Sequence, residues 1–291
     1  MSARPEAAWH IGVIGGSGLT AGLTLEDAQE IEVASPFGLP SAAVTTGTLA
    51  GVRFTFLARH GAGHRIPPGK VNYRANIDVL KRCGVSDIVA LSAIGSLNEH
   101  MAPGHFVAVD QFIDRTSGRK GSFFGEGLVA HVSLADPVCP RLSGFLAEAA
   151  AGSDTTVHRG GCYVAIEGPQ FSTRAESRMY QTWGAEVIGM TAMPEARLAR
   201  EAELPYALLG MVTDYDSWRE GDEAQAAAVM AVMHRNVALA HQTIERFAKA
   251  LPAKRSASPI DRALDHAVMT DKAARDPQLV ARLQAVAGRV L

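Results

Sequence analysis

The chain has 291 residues, 47% hydrophobic and 20% charged, with 28 basic against 30 acidic side chains. That composition excludes an intrinsically disordered chain. It also supplies no basic excess for neutralising nucleic-acid phosphates. No apolar run approaches the length of a transmembrane helix, and the first residues lack the pattern of a secretory signal. Three scattered cysteines, Cys83, Cys139 and Cys162, are too few for a disulfide framework or a zinc knuckle and read as small buried hydrophobes. The expectation is a cytoplasmic protein with reduced thiols that binds neither nucleic acid nor membrane.

In chain order, short apolar runs alternate with helical patterns. His10 to Ile14 reads as a strand feeding the turn Gly15-Gly16-Ser17-Gly18, and Phe54 to Ala58 as a strand ending at Arg59-His60. Asn72 to Arg82 reads as a helix. Strands follow at Ile88 to Leu91, Phe106 to Val109, Tyr163 to Ile166, Glu186 to Gly189 and Tyr206 to Val212, with a helix over Pro194 to Glu203. One long helix runs from Asp222 to Leu251, and Pro252 ends it. A polar linker covers Ala253 to Ser258, and Leu279, Leu283, Val286 and Val290 mark an amphipathic terminal helix. The alternation predicts an α/β fold: a single-domain mixed twisted sheet flanked by helices over residues 1–251, with a linker and C-terminal helical tail over 252–291. The tail is expected to fold back on the core or onto a neighbouring subunit.

Polar residues collect at the strand ends, where open α/β sheets bind ligands. The glycine turn presents N–H groups and the Ser17 hydroxyl to an anion. Gly16, Gly18 and Ala21 also fit a loose dinucleotide fingerprint, and a bare tight turn explains the glycines equally well. Arg59 offers a planar fork for oxyanions, and His60 can donate to one; a surface ion pair is the plainer reading. His60 and His64 invite a metal, but the glycines between them argue against a zinc helix. Ser92-Ala93 adds a second hydroxyl and further N–H groups. Together Ser17, Arg59, His60 and Ser92 suit inorganic phosphate. Asp214 and Asp216 flank Tyr215 after a buried strand, where carboxylates need partners. An amino-substituted heterocycle, a Mg²⁺ ion or a solvated loop each accounts for them. Met190 faces either the core or a sugar edge, with Thr191 turned toward the anion. Phe171 either stacks on a base or fills the core.

The stretches IGVIGGSGL, LARHGAGHRIPPGKVNYRANI, LSAIGSL, VDQFIDRTSGR, HVSLADPVCP, IEGPQFSTRAES, IGMTAMPEARLA and MVTDYDSW fall in order between residues 11 and 218. In these the chain resembles the methylthioadenosine phosphorylase branch of the trimeric purine nucleoside phosphorylase family. The resemblance implies phosphorolysis of a purine nucleoside, with inorganic phosphate as co-substrate, no cofactor and no metal. It implies phosphate contacts from Ser17, Arg59, His60, Ser92, Ala93 and Thr191. It places Met190 at the ribose and Phe171, Ser172, Asp214, Tyr215 and Asp216 around the purine. Asp214, Asp216 and His60 are the expected catalytic groups. His131 matches a residue reaching the 5′ pocket of an adjacent subunit in a homotrimer or a hexamer. Gly189 and Gln170 depart from the Asn and Arg common in the family, leaving inosine, guanosine, methylthioinosine or adenosine as alternative substrates. A nucleoside hydrolase and a catalytically silent purine- or phosphate-binding regulator are the readings from other classes. Met230 and Met233 could line the 5′ pocket, and Ala226 and Ala227 could enlarge it.

Overall fold

The computed structural model describes residues 8–16, 18, 22–219 and 226–291, with the side chains of 226–228 left aside. Its strands are β1 (His10–Gly15), β2 (Glu26–Ile31), β3 (Val44–Leu49), β4 (Val52–Ala58), β5 (Asp87–Ser96), β6 (Phe106–Val109), β7 (Gln111–Arg115), β8 (Val157–Arg159), β9 (Cys162–Ile166), β10 (Val187–Gly189) and β11 (Tyr206–Asp214). Its helices are α1 (Tyr73–Arg82), α2 (Pro140–Ala151), α3 (Arg174–Thr182), α4 (Ala192–Glu201), α5 (Ala226–Ala250), α6 (Pro277–Arg282) and α7 (Gln284–Ala287). The strands form one mixed sheet, ordered β2-β3-β4-β1-β5-β10-β9-β7, with β11 and β6 branching from β5.

The central strands are apolar on both faces because helices cover both. In β11, Tyr206, Leu208 and Val212 enter one cluster while Ala207, Leu209 and Met211 enter the other. The first cluster takes Ile77 and Leu80 of α1 and Ala196 of α4. The second takes Leu142 and Leu146 of α2 and Ile244 and Phe247 of α5. A strand buried on both faces reads as a continuous apolar run, which is why these strands were legible as such.

β5 is where the sheet divides. Its first half pairs with β1, from Asp87 to Ala90, while β11 runs along its other edge. Its last residues, Gly95 and Ser96, pair with β10 on the edge β1 has left. Between the two pairings, Leu91 to Ile94 face a gap between the tips of β1 and β10.

The tail folds back on the chain's own core. Leu264, Ala267, Leu283, Val286 and Ala287 are buried in the same cluster as α1 and α4. Arg255 pairs with Asp87, which is wholly buried, and with Asp261; Arg289 pairs with Glu203. In place of one terminal helix there are two short ones, because the chain leaves helical geometry at Leu283, the C-cap of α6. The start of the long helix at Asp222 lies outside the described residues. Of the cysteines, Cys139 is buried as expected, but Cys83 and Cys162 are half-buried.

Leu283→Ala should therefore cost about 2–4 kcal/mol of stability, as for a core leucine. Leu39→Ala, at a side chain that is 87% exposed, should stay within about 0.5 kcal/mol. Urea unfolding of the two variants compares them.

Candidate active site

Four strand tips converge on the gap along β5. The Arg59 N–H donates to Gly15 O (2.9 Å), tying the tip of β4 to that of β1. Ser92 Oγ and Thr191 Oγ1 lie 3.2 Å apart, bringing β5 and the start of α4 together across 99 residues of sequence. A Cβ on Gly16 or Gly18 would meet no atom within 4 Å, so the glycine turn borders open space. Ser17 lies outside the described residues. The dinucleotide reading fails here, since the strand that follows β1 pairs antiparallel with β3 and not parallel with β1, as a dinucleotide unit needs.

Arg59 differs from expectation. Its fork does not stand open to an anion. Nε and Nη2 donate to the two carboxylate oxygens of Glu195 at 2.7 and 2.8 Å, and Nη1 donates to Leu91 O at 3.1 Å. Both side chains are almost fully buried. Burial alone would push the guanidinium down, but the facing Glu195 charge outweighs it and keeps Arg59 protonated. Glu195 also accepts from the Tyr206 hydroxyl at 3.0 Å. Arg59 thus contributes a balanced charge and a rigid frame, which an isolated Arg-His dipeptide in a sequence does not reveal.

His60 is also constrained. Its Nδ1 lies 2.8 Å from Ile66 O, and a carbonyl can only accept, so Nδ1 carries the proton. Burial, with Arg59 and His64 nearby, lowers its pKa to about 4. At neutral pH the ring is uncharged, and Nε2 offers a lone pair rather than the expected donor. His64 stacks on it at 4.2 Å. Among the described residues no group of three His, Cys, Asp or Glu is placed to hold a metal ion.

The two acids sit farther along β5. Asp214 stands opposite Gly95 in the ladder. A Cβ there would lie 2.9 Å from Ile188 Cγ2 and 3.1 Å from Asp214 Oδ1, so a side chain at residue 95 would crowd both. From Ser92 to Gly95 is about 10 Å along an extended strand, room for a sugar between an anion and a base. Asp214 accepts from the Thr213 hydroxyl (2.7 Å) and the Asp216 N–H (2.8 Å). Asp216 accepts from the Ser177 hydroxyl. Burial raises both pKa values; hydrogen bonds to the carboxylates oppose it, and at Asp216 the Asp214 charge adds to it.

Of the other expected residues, Ser172 is buried, and its hydroxyl has no partner among the described atoms. Such an orphan is costly unless a ligand completes it. Met190 lies against Gly168, where a Cβ would come 2.4 Å from its sulfur. Phe171 is 45% exposed, so it is not core filling. Tyr215 packs edge-on against Trp218. Ala93 lies beside Ser92, opposite Met211 of β11. His131 stands apart at the surface, its N–H donating to Ala267 O of the tail (2.8 Å). Met230 is exposed and Met233 packs on the second cluster.

One organising residue was missed. Arg119 bonds Met190 O and Met193 O, both at 2.7 Å, and Glu167 through Nε–Oε2 and Nη2–O, both at 2.9 Å. It clamps the loop before Phe171 to the loop carrying Thr191. The motif holding it was visible in the sequence, but nothing in a lone Arg after a glycine states which carbonyls it meets.

Residues 10–249 match the sequence profile of the phosphorylase superfamily. An S-methyl-5′-thioadenosine phosphorylase of Cereibacter sphaeroides is 56% identical over 97% of this chain and 98% of its own. This chain belongs to the phosphorylase superfamily, among the S-methyl-5′-thioadenosine phosphorylases. Its relatives within that family include a protein of Bradyrhizobium diazoefficiens, 54% identical over 97% of this chain and 98% of its own. A methylthioadenosine phosphorylase from an antarctic soil metagenomic library superposes with a TM-score of 0.91 at 43% identity, covering 96% of this chain and 99% of that one. An adenosine/methylthioadenosine phosphorylase mutant from Schistosoma mansoni, in complex with adenine, gives 0.78 at 36% identity over 82% and 91%. The phosphorylase fold expected from the sequence is the one observed.

Breaking the buried pair on one side should be worse than removing it. Arg59→Met and Glu195→Met should each lose about 3–5 kcal/mol, while the two combined should lose less than the sum. Denaturant midpoints of the three variants measure this.

Proposed function

We propose that the chain catalyses phosphorolysis of S-methyl-5′-thioadenosine to adenine and 5-methylthioribose 1-phosphate, a pentosyl transfer in purine and methionine salvage. The observation that carries the reading is the arrangement along β5: paired hydroxyls from Ser92 and Thr191 at one point, and the half-buried Asp214 with the buried Asp216 about 10 Å away. The near-full-length likeness to phosphorylases of this name supports the same substrate.

The C1′–N9 bond breaks with its electron pair leaving on the purine, and the sugar gains oxocarbenium character. A phosphate oxygen, held by Ser17, Ser92, Ala93, Thr191 and His60, stabilises the cation and then bonds to C1′. Neutral His60 Nε2 suits the proton-bearing oxygen of hydrogen phosphate. Holding both reactants together contributes about 7–11 kcal/mol toward the barrier. Asp214, whose pKa burial raises, gives a proton toward N7 so that adenine leaves neutral. Asp216 accepts from the 6-amino group, Phe171 covers the base, and the orphaned Ser172 hydroxyl gains a partner. A 6-oxo group would face the Asp216 carboxylate lone pair to lone pair, and a site built on hydrogen bonds discriminates by up to about 10⁴–10⁵-fold.

We further propose a homotrimer in the cytoplasm. The exposure of His131, Phe171 and Met230 in one chain supports a 5′ pocket completed by a neighbour. Among the described residues no helix is long and apolar enough to cross a membrane. The reaction requires phosphate as co-substrate and no cofactor.

Turnover of methylthioadenosine, adenosine and inosine with and without phosphate tests the reading. Methylthioadenosine should turn over fastest, and only with phosphate. Inosine faster by about tenfold overturns the base assignment, and phosphate-independent loss of substrate indicates a hydrolase. Asp214→Asn should move preference toward 6-oxopurines by at least about tenfold. In the wild type, kcat for methylthioadenosine should fall as pH rises through the elevated Asp214 pKa, since the proton donor is then lost. The Asn variant should lack that limb.

A further inference from the structure

Thr191 is the N-cap of α4, yet its side chain makes no capping hydrogen bond. A threonine at that position ordinarily accepts from the first-turn N–H groups. Here the hydroxyl is turned toward Ser92 instead. The reason lies on β9. Tyr163 is wholly buried, edge-on to Phe112 at 5.8 Å, and its hydroxyl reaches the tip of β10. The Thr191 N–H donates to Tyr163 Oη at 3.3 Å. Burial pushes the phenol's pKa up, so it stays an uncharged hydroxyl, with a lone pair for this N–H.

The hydroxyl can stand there only because residue 189 has no side chain. A Cβ on Gly189 would lie 2.1 Å from Tyr163 Oη and 2.7 Å from its Cζ. Gly189 is not in a left-handed conformation, so the requirement is for space and not for backbone freedom. The neighbouring phenol accounts for the glycine.

We propose that Tyr163 and Gly189 form a positioning pair that aims Thr191 at the oxyanion: the glycine vacates the space, and the phenol occupies it and fixes the peptide of Thr191. The proposal rests on reading Ser92 and Thr191 as the phosphate site. Neither member of the pair touches the reacting atoms; both act through Thr191.

Tyr163→Phe keeps the packed ring and removes the acceptor. It should raise the phosphate KM about three- to tenfold, the range of one lost hydrogen bond. The nucleoside KM and kcat should stay within about twofold, and the thermal midpoint should fall by no more than a few degrees. An unchanged phosphate KM, or equal rises in both KM values, overturns the proposal. Gly189→Ala supplies a second measure. Alone it should lower kcat/KM for phosphate by about tenfold or more, and in a Tyr163→Leu background by less than about threefold. Equal penalties in the two backgrounds overturn the pairing. Calorimetric titration with inorganic phosphate alone should show weaker binding to Tyr163→Phe than to the wild type; equal binding overturns the proposal. If the wild type binds phosphate but cleaves no purine nucleoside with it, the proposed reaction fails, and the calorimetric comparison still decides the pair.

Discussion

The buried ion pair between Arg59 and Glu195 is the constraint around which the site is arranged. A guanidinium almost without solvent must be matched at nearly every donor, and the matching groups come from several elements. Glu195 comes from α4 and Leu91 O from β5, while the peptide N–H of Arg59 holds Gly15 at the end of β1. Desolvating two charges is expensive, and good geometry with extra hydrogen bonds is what offsets it. The pair therefore holds the tips of β1, β4 and β5 and the first turn of α4 at fixed distances. The proposed phosphate site lies among those same tips.

That pairing also sets the electrostatic character of the site. With Arg59 neutralised and His60 uncharged, the groups around the gap are hydroxyls, a ring nitrogen and main-chain N–H groups. Such groups hold an anion through directed dipoles without trapping it as a dense positive cluster would. At the other end, burial raises the pKa values of two carboxyls. In the proposed reaction a nucleophile and a leaving group are thus served by two points three residues apart on one strand, β5. The division of the sheet at its middle leaves the edge from Leu91 to Ile94 beside both.

The sequence made the apolar centre of the fold legible. β1, β4, β5, β6, β9, β10 and β11 read as strands, and the polar residues at their tips include Ser92, Thr191, Asp214 and Asp216. β2, β3, β7, β8, α2 and α3 escaped. β2 is EDAQEI, exposed along its whole length, and an edge strand with no buried face has no periodicity to detect. α3 carries a signal that went unused, the capping box from Thr173 to Glu176. The roles of Arg59, Arg119 and Tyr163 were hidden for another reason. Each depends on partners at least dozens of residues away, and residue type alone does not disclose whether a guanidinium meets an anion, a carboxylate or a carbonyl.

The return of the tail to the core ties the stability of one to the other. Asp87 starts the central strand with no solvent contact, and one of its two arginine partners, Arg255, lies beyond the long helix. Leu283, Val286 and Ala287 pack beside α1. Peeling the tail away would open an apolar seam to water and leave a buried acid missing one of its two partners, so the tail and the central strand melt as one cooperative unit.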